Sequence, residues 1–107
     1  MILPIFDRNG REIIAGARVR YCLPDYYINV KSGTGTVVST DEYGGVYYDA
    51  DKPEPARLDR SGTYRETRQR QYAPIGRFDY DERKRIAVSE LGGTETFIEV
   101  IDDATGK

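Results

Sequence analysis

The sequence predicts an all-β protein, a small barrel of five to seven antiparallel strands with a long arginine-rich loop insertion, on three observations. Ala17, Val19 and Tyr21 alternate with Arg18 and Arg20, the period of a half-buried strand. The stretch GTGTVVSTDEYGGVYYDAD, residues 33–51, spells a tight, strongly bent hairpin. The pairs Asn9-Gly10, Gly44-Gly45 and Gly92-Gly93 punctuate the apolar runs where hairpin turns belong. Closing such short strands into a barrel removes exposed sheet edges.

The elements follow in order. Asn9-Gly10 lies between Ile5-Phe6-Asp7-Arg8 and Arg11-Glu12-Ile13-Ile14, and this dipeptide tolerates positive φ at both central positions of a hairpin turn. Gly16 opens the strand around Val19. A connection with adjacent tyrosines, Tyr26 and Tyr27, beside Lys31 then precedes a strand from Thr34 to Ser39. Gly33 and Gly35 weaken that strand unless it bends sharply or another backbone comes close. Beyond the Gly44-Gly45 turn, Val46 and Tyr48 share one face and Tyr47 and Asp49 the other.

After Asp51 the alternation is lost. Pro53 and Pro55 are expected to end any ladder, and residues 57–71 are almost without apolar side chains, so 51–71 reads as an extended, mobile arm. Thr63 with Glu66 leaves a short capped helix there as the alternative. Strands return over residues 72–80, 85–91 and 94–101. A hairpin at Gly92-Gly93 sets Val88 opposite Phe97, an aromatic and β-branched pair. The competing reading is a helix from Asp81 to Leu91, with Asp81 as its N-cap and Gly92 just beyond its end. Residues 102–107 read as a frayed tail.

With 107 residues, the chain has length for one domain over 1–107 and not for two independent cores. No histidine is present, which removes imidazole general acid–base catalysis and imidazole-dependent zinc sites. Cys22 is the single cysteine, so no internal disulfide forms, and with no histidine to activate it a packing role is expected. With no signal-like start and no long apolar run, the sequence suggests a cytoplasmic protein without a membrane. Asp41, Glu42, Asp49 and Asp51 crowd one hairpin, but their spacing matches no calcium loop. No phosphate-binding glycine loop occurs. The reading is of a protein that is not an enzyme, with no metal and no cofactor.

Two surfaces remain as candidates. Nine tyrosines against three phenylalanines suit amphipathic contact faces; Tyr26, Tyr27, Tyr43 and Tyr47, with Lys31, Arg18 and Arg20, form a candidate stacking platform. Otherwise these tyrosines merely close the barrel ends. Arg57, Arg60, Arg65, Arg68 and Arg70, followed by Arg77, give a local basic excess suited to phosphates or an acidic protein patch. Otherwise they pair with acidic neighbours in solvent. The overall charge of −2 argues against general polyanion binding and permits self-association of arm with body as a homo-oligomer.

The order GARVRY, a loop, GTGTVVS, a turn and GVYYD resembles an SH3-like barrel with a KOW-type core, over roughly residues 7–51. The opening DRNGRE is similar to the Asp-x-x-Gly-Arg start of small accessory proteins of phages and prophages. What the resemblance implies is a binding module carried by a mobile element that contacts a host protein, such as a defence-system component. The alternative it implies is KOW- or Tudor-like nucleic-acid binding, with tyrosines stacking bases and the arginine arm neutralising phosphates.

Overall fold

The computed structural model describes residues 3–24, 30–58 and 64–102, with side chains outside 53–58, 64–68 and 102. Eight strands run in chain order: β1 (Ile5–Phe6), β2 (Arg18–Pro24), β3 (Val30–Thr40), β4 (Val46–Leu58), β5 (Tyr64–Ala73), β6 (Gly76–Asp79), β7 (Lys84–Leu91) and β8 (Thr94–Asp102). They join one sheet in the order β1-β7-β8-β2-β3-β4-β5, with β6 also on β7. The all-β expectation holds, and no helix occurs among the described residues. Among the described residues no helix is long and apolar enough to cross a membrane.

The sheet is open, which corrects the expectation of a closed barrel. Between β5 and β6 the chain turns a corner in place of a ladder: Ile75 N donates to Ala73 O at 2.9 Å across Pro74, a γ-turn that suits the fixed φ of proline. β6 then pairs with β7, and the gap is spanned by single contacts. Gly76 N donates to Gly44 O at 2.5 Å, and the Arg85 guanidinium donates to Glu42 O at 3.2 Å. Nor is every pairing antiparallel, since Ile5 and Phe6 lie parallel to Arg85 and Ile86.

Alternation puts the expected residues inside. Ala17, Val19 and Tyr21 from the β2 region, Val46, Tyr48 and Ala50 from β4, and Ile98 and Val100 from β8 are buried. The Tyr21 and Tyr48 rings meet at 4.7 Å, tilted by 48°, at the centre of this core. Cys22 is half-buried with a free thiol. The glycines of β3 serve close approach: a Cβ on Gly35 would stand 2.5 Å from Asp49 O, and one on Gly33 would stand 2.8 Å from the Tyr21 hydroxyl. Strand β4 passes directly over Gly35, its register partner being Ala50.

The prolines do not end β4, contrary to expectation. The β4–β5 ladder continues through Glu54↔Arg68 and Pro55↔Thr67 to Leu58↔Tyr64, with register shifts between Asp49 and Glu54 and again around Arg57. Irregular steps tolerate residues that lack an N–H, so 51–58 and 64–71 are paired ribbon in place of an arm, and the helix alternative at 63–66 falls where Tyr64 onward is strand. β3 leaves the ladder at Ala50, and the ribbon runs on beyond it. The expected tail over 102–107 lies outside the described residues apart from Asp102, the last residue of β8.

At the opposite end of the chain, Val88 pairs with Phe97 as expected, and Gly92 and Gly93 both have positive φ, at 55° and 87°. The helical alternative over 81–91 gives way to a turn capped by Asp79, whose Oδ1 accepts from Asp81 N at 2.8 Å and Glu82 N at 2.9 Å. Arg83 takes the left-handed conformation at φ 57°. Glu82, Arg83 and Lys84 offer no apolar face to a helix, whereas Lys84 to Leu91 pairs with β6 and β8 as β7 and buries Ala87.

The N-terminal hairpin is reduced to one bridge, Phe6↔Glu12. Its turn has positive φ at Gly10 (88°) and not at Asn9, and Gly10 N donates to Asp7 O at 3.0 Å, a type I turn followed by a left-handed glycine. Asp7, 2% exposed, organises the segment: Oδ1 accepts from Asn9 N and Arg11 N, both at 2.9 Å, and Oδ2 from Val100 N at 2.9 Å. Arg11 also reaches Val100 O at 3.3 Å. The spacing Asp7-x-x-Gly10-Arg11 is therefore a clamp that holds the first turn against β8.

Candidate functional site

On the outer face, β4 and β5 set Tyr47 opposite Tyr72 and Asp49 opposite Arg70. The Tyr47 and Tyr72 rings meet at 4.6 Å. Tyr72 lies over Gly45, where a Cβ would collide with its ring, and its hydroxyl donates to Asp41 Oδ2 at 2.7 Å. Asp41 in turn fixes the β3–β4 turn, Oδ1 accepting from Tyr43 N at 2.9 Å and Gly45 N at 2.7 Å. Gly44 supplies the positive φ of 87° that the turn needs. After the Asp41 bond and burial, the Tyr47 and Tyr43 phenols add smaller contributions that also push the Tyr72 phenol up. Tyr43 is 75% exposed, Tyr47 38% and Tyr72 42%, so three aromatic rings and one carboxylate share an open patch.

The hydrogen bond to Asp41 pushes the Tyr72 phenol up to about 12, and the same bond holds the Asp41 carboxyl below its usual range. A phenol raised in the fold above its unfolded value of about 10 stabilises the protein fully below that value, and the contribution is lost as pH rises from 10 towards 12. Melting temperatures of Tyr72→Phe are therefore expected to fall less steeply than wild type across that window. Equal slopes would contradict the Tyr72–Asp41 bond.

Next to the tyrosines, the outward arginines are held by acids. Arg70 Nε donates to Asp49 Oδ1 at 2.5 Å. Arg18 makes a two-pronged bond to Asp51, at 2.8 and 2.6 Å, and Thr34 Oγ1 donates to the same carboxylate at 2.5 Å. Arg18 first, then Thr34, hold the Asp51 carboxyl well below the carboxylate range. Arg8 and Arg20 converge on Glu99, at 2.5 and 2.6 Å, and Arg8 also pairs with Glu95. Arg8 lies 3.9 Å from the Phe97 ring centre, a cation–π contact. Glu99, 6% exposed, is held below its usual pKa chiefly by Arg8.

Of the residues read from the sequence, Tyr43, Tyr47 and Arg70 are brought together. Lys31 lines a cavity with Leu23, Ile75 and Arg77, and Tyr72 borders the same cavity. Arg57, Arg65 and Arg68 lie on the β4–β5 ribbon, with side chains outside the described set. Tyr26, Tyr27 and Arg60 lie outside the described residues. Sequence reasoning missed Tyr72 and the role of Asp41. The available signal was Asp41-x-Tyr43-Gly44-Gly45, a turn with an acid two residues before its aromatic and a bare glycine on which a ring can lie. No protein-family model, curated protein or solved structure matches this chain.

Proposed function

We propose that the chain is a non-catalytic binding module, an SH3-like curled sheet that docks a host protein through the tyrosine patch of the β3–β4 turn, β4 and β5. The observation that carries this reading is an exposed patch in which Tyr47 stacks on Tyr72, and Asp41 holds both the Tyr72 hydroxyl and the Tyr43 backbone N–H. Rigid aromatic side chains with a polar tip give large contact area at low entropic cost, and tyrosine is a favoured interface anchor. Protein is preferred over nucleic acid because Arg18, Arg20 and Arg70 already face carboxylates at hydrogen-bond distance. A phosphate would have to displace those acids. The DRNGRE opening and the GxGxV core support an accessory protein of a phage or mobile element, acting in the cytoplasm.

Affinity capture from host lysate, with and without nuclease, tests the reading. Capture of a protein that survives nuclease and is lost in Tyr47→Ala and Tyr72→Ala is expected, with melting temperatures within a few degrees of wild type. Retention that disappears with nuclease would favour the nucleic-acid alternative, and recovery of the chain itself alone would indicate a homo-oligomer.

A further inference from the structure

Asn9 and Gly10, at the end of the first turn, are both exposed. Asparagine is a chemically labile residue, and before a glycine its side-chain carbonyl carbon is open to attack by the next backbone nitrogen, since no side chain hinders the approach. A Cβ built on Gly10 would meet nothing within 4 Å, so nothing bulky keeps water or base away. What guards the site is hydrogen bonding. Gly10 N, the nucleophile, donates to Asp7 O at 3.0 Å. Asn9 Nδ2, the nitrogen that would leave, donates to Glu99 Oε2 at 3.2 Å, and Asn9 N donates to Asp7 Oδ1 at 2.9 Å. Attack requires the Gly10 and Asn9 side-chain bonds to break together.

We propose that Asn9-Gly10 is a deamidation site gated by the Asp7 clamp, closed in the folded chain and reactive only when the first turn leaves β8. On opening, base removes the Gly10 N–H proton and the nitrogen bonds to Asn9 Cγ. The Cγ–Nδ2 bond breaks, the amide nitrogen takes a proton from solvent and departs as ammonia, and a cyclic succinimide remains. Water opens that ring at either carbonyl to give aspartate or isoaspartate at position 9, so the net change is one water in and one ammonia out. The conversion is one-way. The new carboxylate has no N–H to give Glu99 and sets a like charge against it. Isoaspartate also adds a methylene to the backbone between Asn9 N and Arg11 N, the two groups that Asp7 Oδ1 holds. This site shares no residue with the tyrosine patch, and its test is separate from that of the binding reading.

The test follows the intact chain in neutral buffer by peptide mass spectrometry that separates aspartate from isoaspartate, beside a synthetic peptide of residues 5–14. Asn9 in the folded chain is expected to react at least about tenfold more slowly than in the peptide, because local opening limits it. Asn29, followed by the β-branched Val30, is the slow internal control. The Gly10 amide is both nucleophile and exchange reporter, so its hydrogen-exchange protection is expected to match the slowing of deamidation within about threefold. Asp7→Ala is expected to bring the rate to within about threefold of the peptide. Should that variant fail to fold, the wild type in graded guanidinium chloride replaces it, its deamidation rising in step with Gly10 exchange. The proposal is overturned if folded Asn9 reacts as fast as the peptide, if opening the clamp leaves the rate unchanged, or if Gly10 is protected from exchange without any slowing of deamidation.

Discussion

Replacing Asp7 by alanine is expected to lower the unfolding free energy by about 3 kcal/mol. One buried carboxylate accepts from three backbone N–H groups, and one of these, Val100 N, belongs to a strand more than ninety residues away (a separation of 93). Deletion leaves those donors without an acceptor in a site closed to water, and it frees the first turn from β8. Asp7→Asn keeps one acceptor oxygen but turns an amide donor toward another donor, so an intermediate loss is expected. Chemical denaturation of the three proteins decides the matter. A loss below about 1 kcal/mol for Asp7→Ala would mean that the clamp is ornamental.

Gly35→Ala is the second change expected to be severe, at about 2–3 kcal/mol. The added methyl group would meet the carbonyl oxygen of Asp49 at 2.5 Å and the Ala50 Cα at 3.3 Å. Both are backbone atoms of a paired strand, so neither moves without breaking the β3–β4 ladder. Gly33→Ala supplies the contrast: its nearest neighbour is the Tyr21 hydroxyl at 2.8 Å, the end of a side chain and not backbone. A loss of about 1 kcal/mol is expected there, and thermal melts of both variants measure the difference. Equal effects would show that strand entropy, not the approach of β4, explains the two glycines.

Local alternation was enough to locate β2, the start of β4 and the β7–β8 hairpin, because each has one face in the core and one in solvent. The Val88–Phe97 register followed from turn geometry alone. Pro53 and Pro55 misled for a physical reason: a ladder can skip residues that lack an N–H by shifting register, and no local pattern announces such a shift. Closure was equally illegible. Whether β5 pairs onward depends on the corner at Pro74 and on the single Gly76–Gly44 contact, which join segments far apart in sequence.

The candidate patch was half visible. Tyr43 and Tyr47 stand in a recognisable hairpin, whereas Tyr72 reaches them only through the β4–β5 register. The arginines that looked available to phosphates could not be seen as paired, since Arg18 meets Asp51 and Arg20 meets Glu99 across strands distant in the chain. Lys31 lines a cavity that Tyr72 also borders, a placement set by strand pairing and not by its loop.

Amide hydrogen exchange, with and without the captured host protein, tests the central claim most directly: that contact is made by the outer face of the β3–β4 turn, β4 and β5. Slowed exchange at residues 41–48 and 70–73, with β1, β6 and β7 unchanged, is the result this account predicts. Protection confined to β1, β6 and β7, with the tyrosine face exchanging as in the isolated protein, would contradict it.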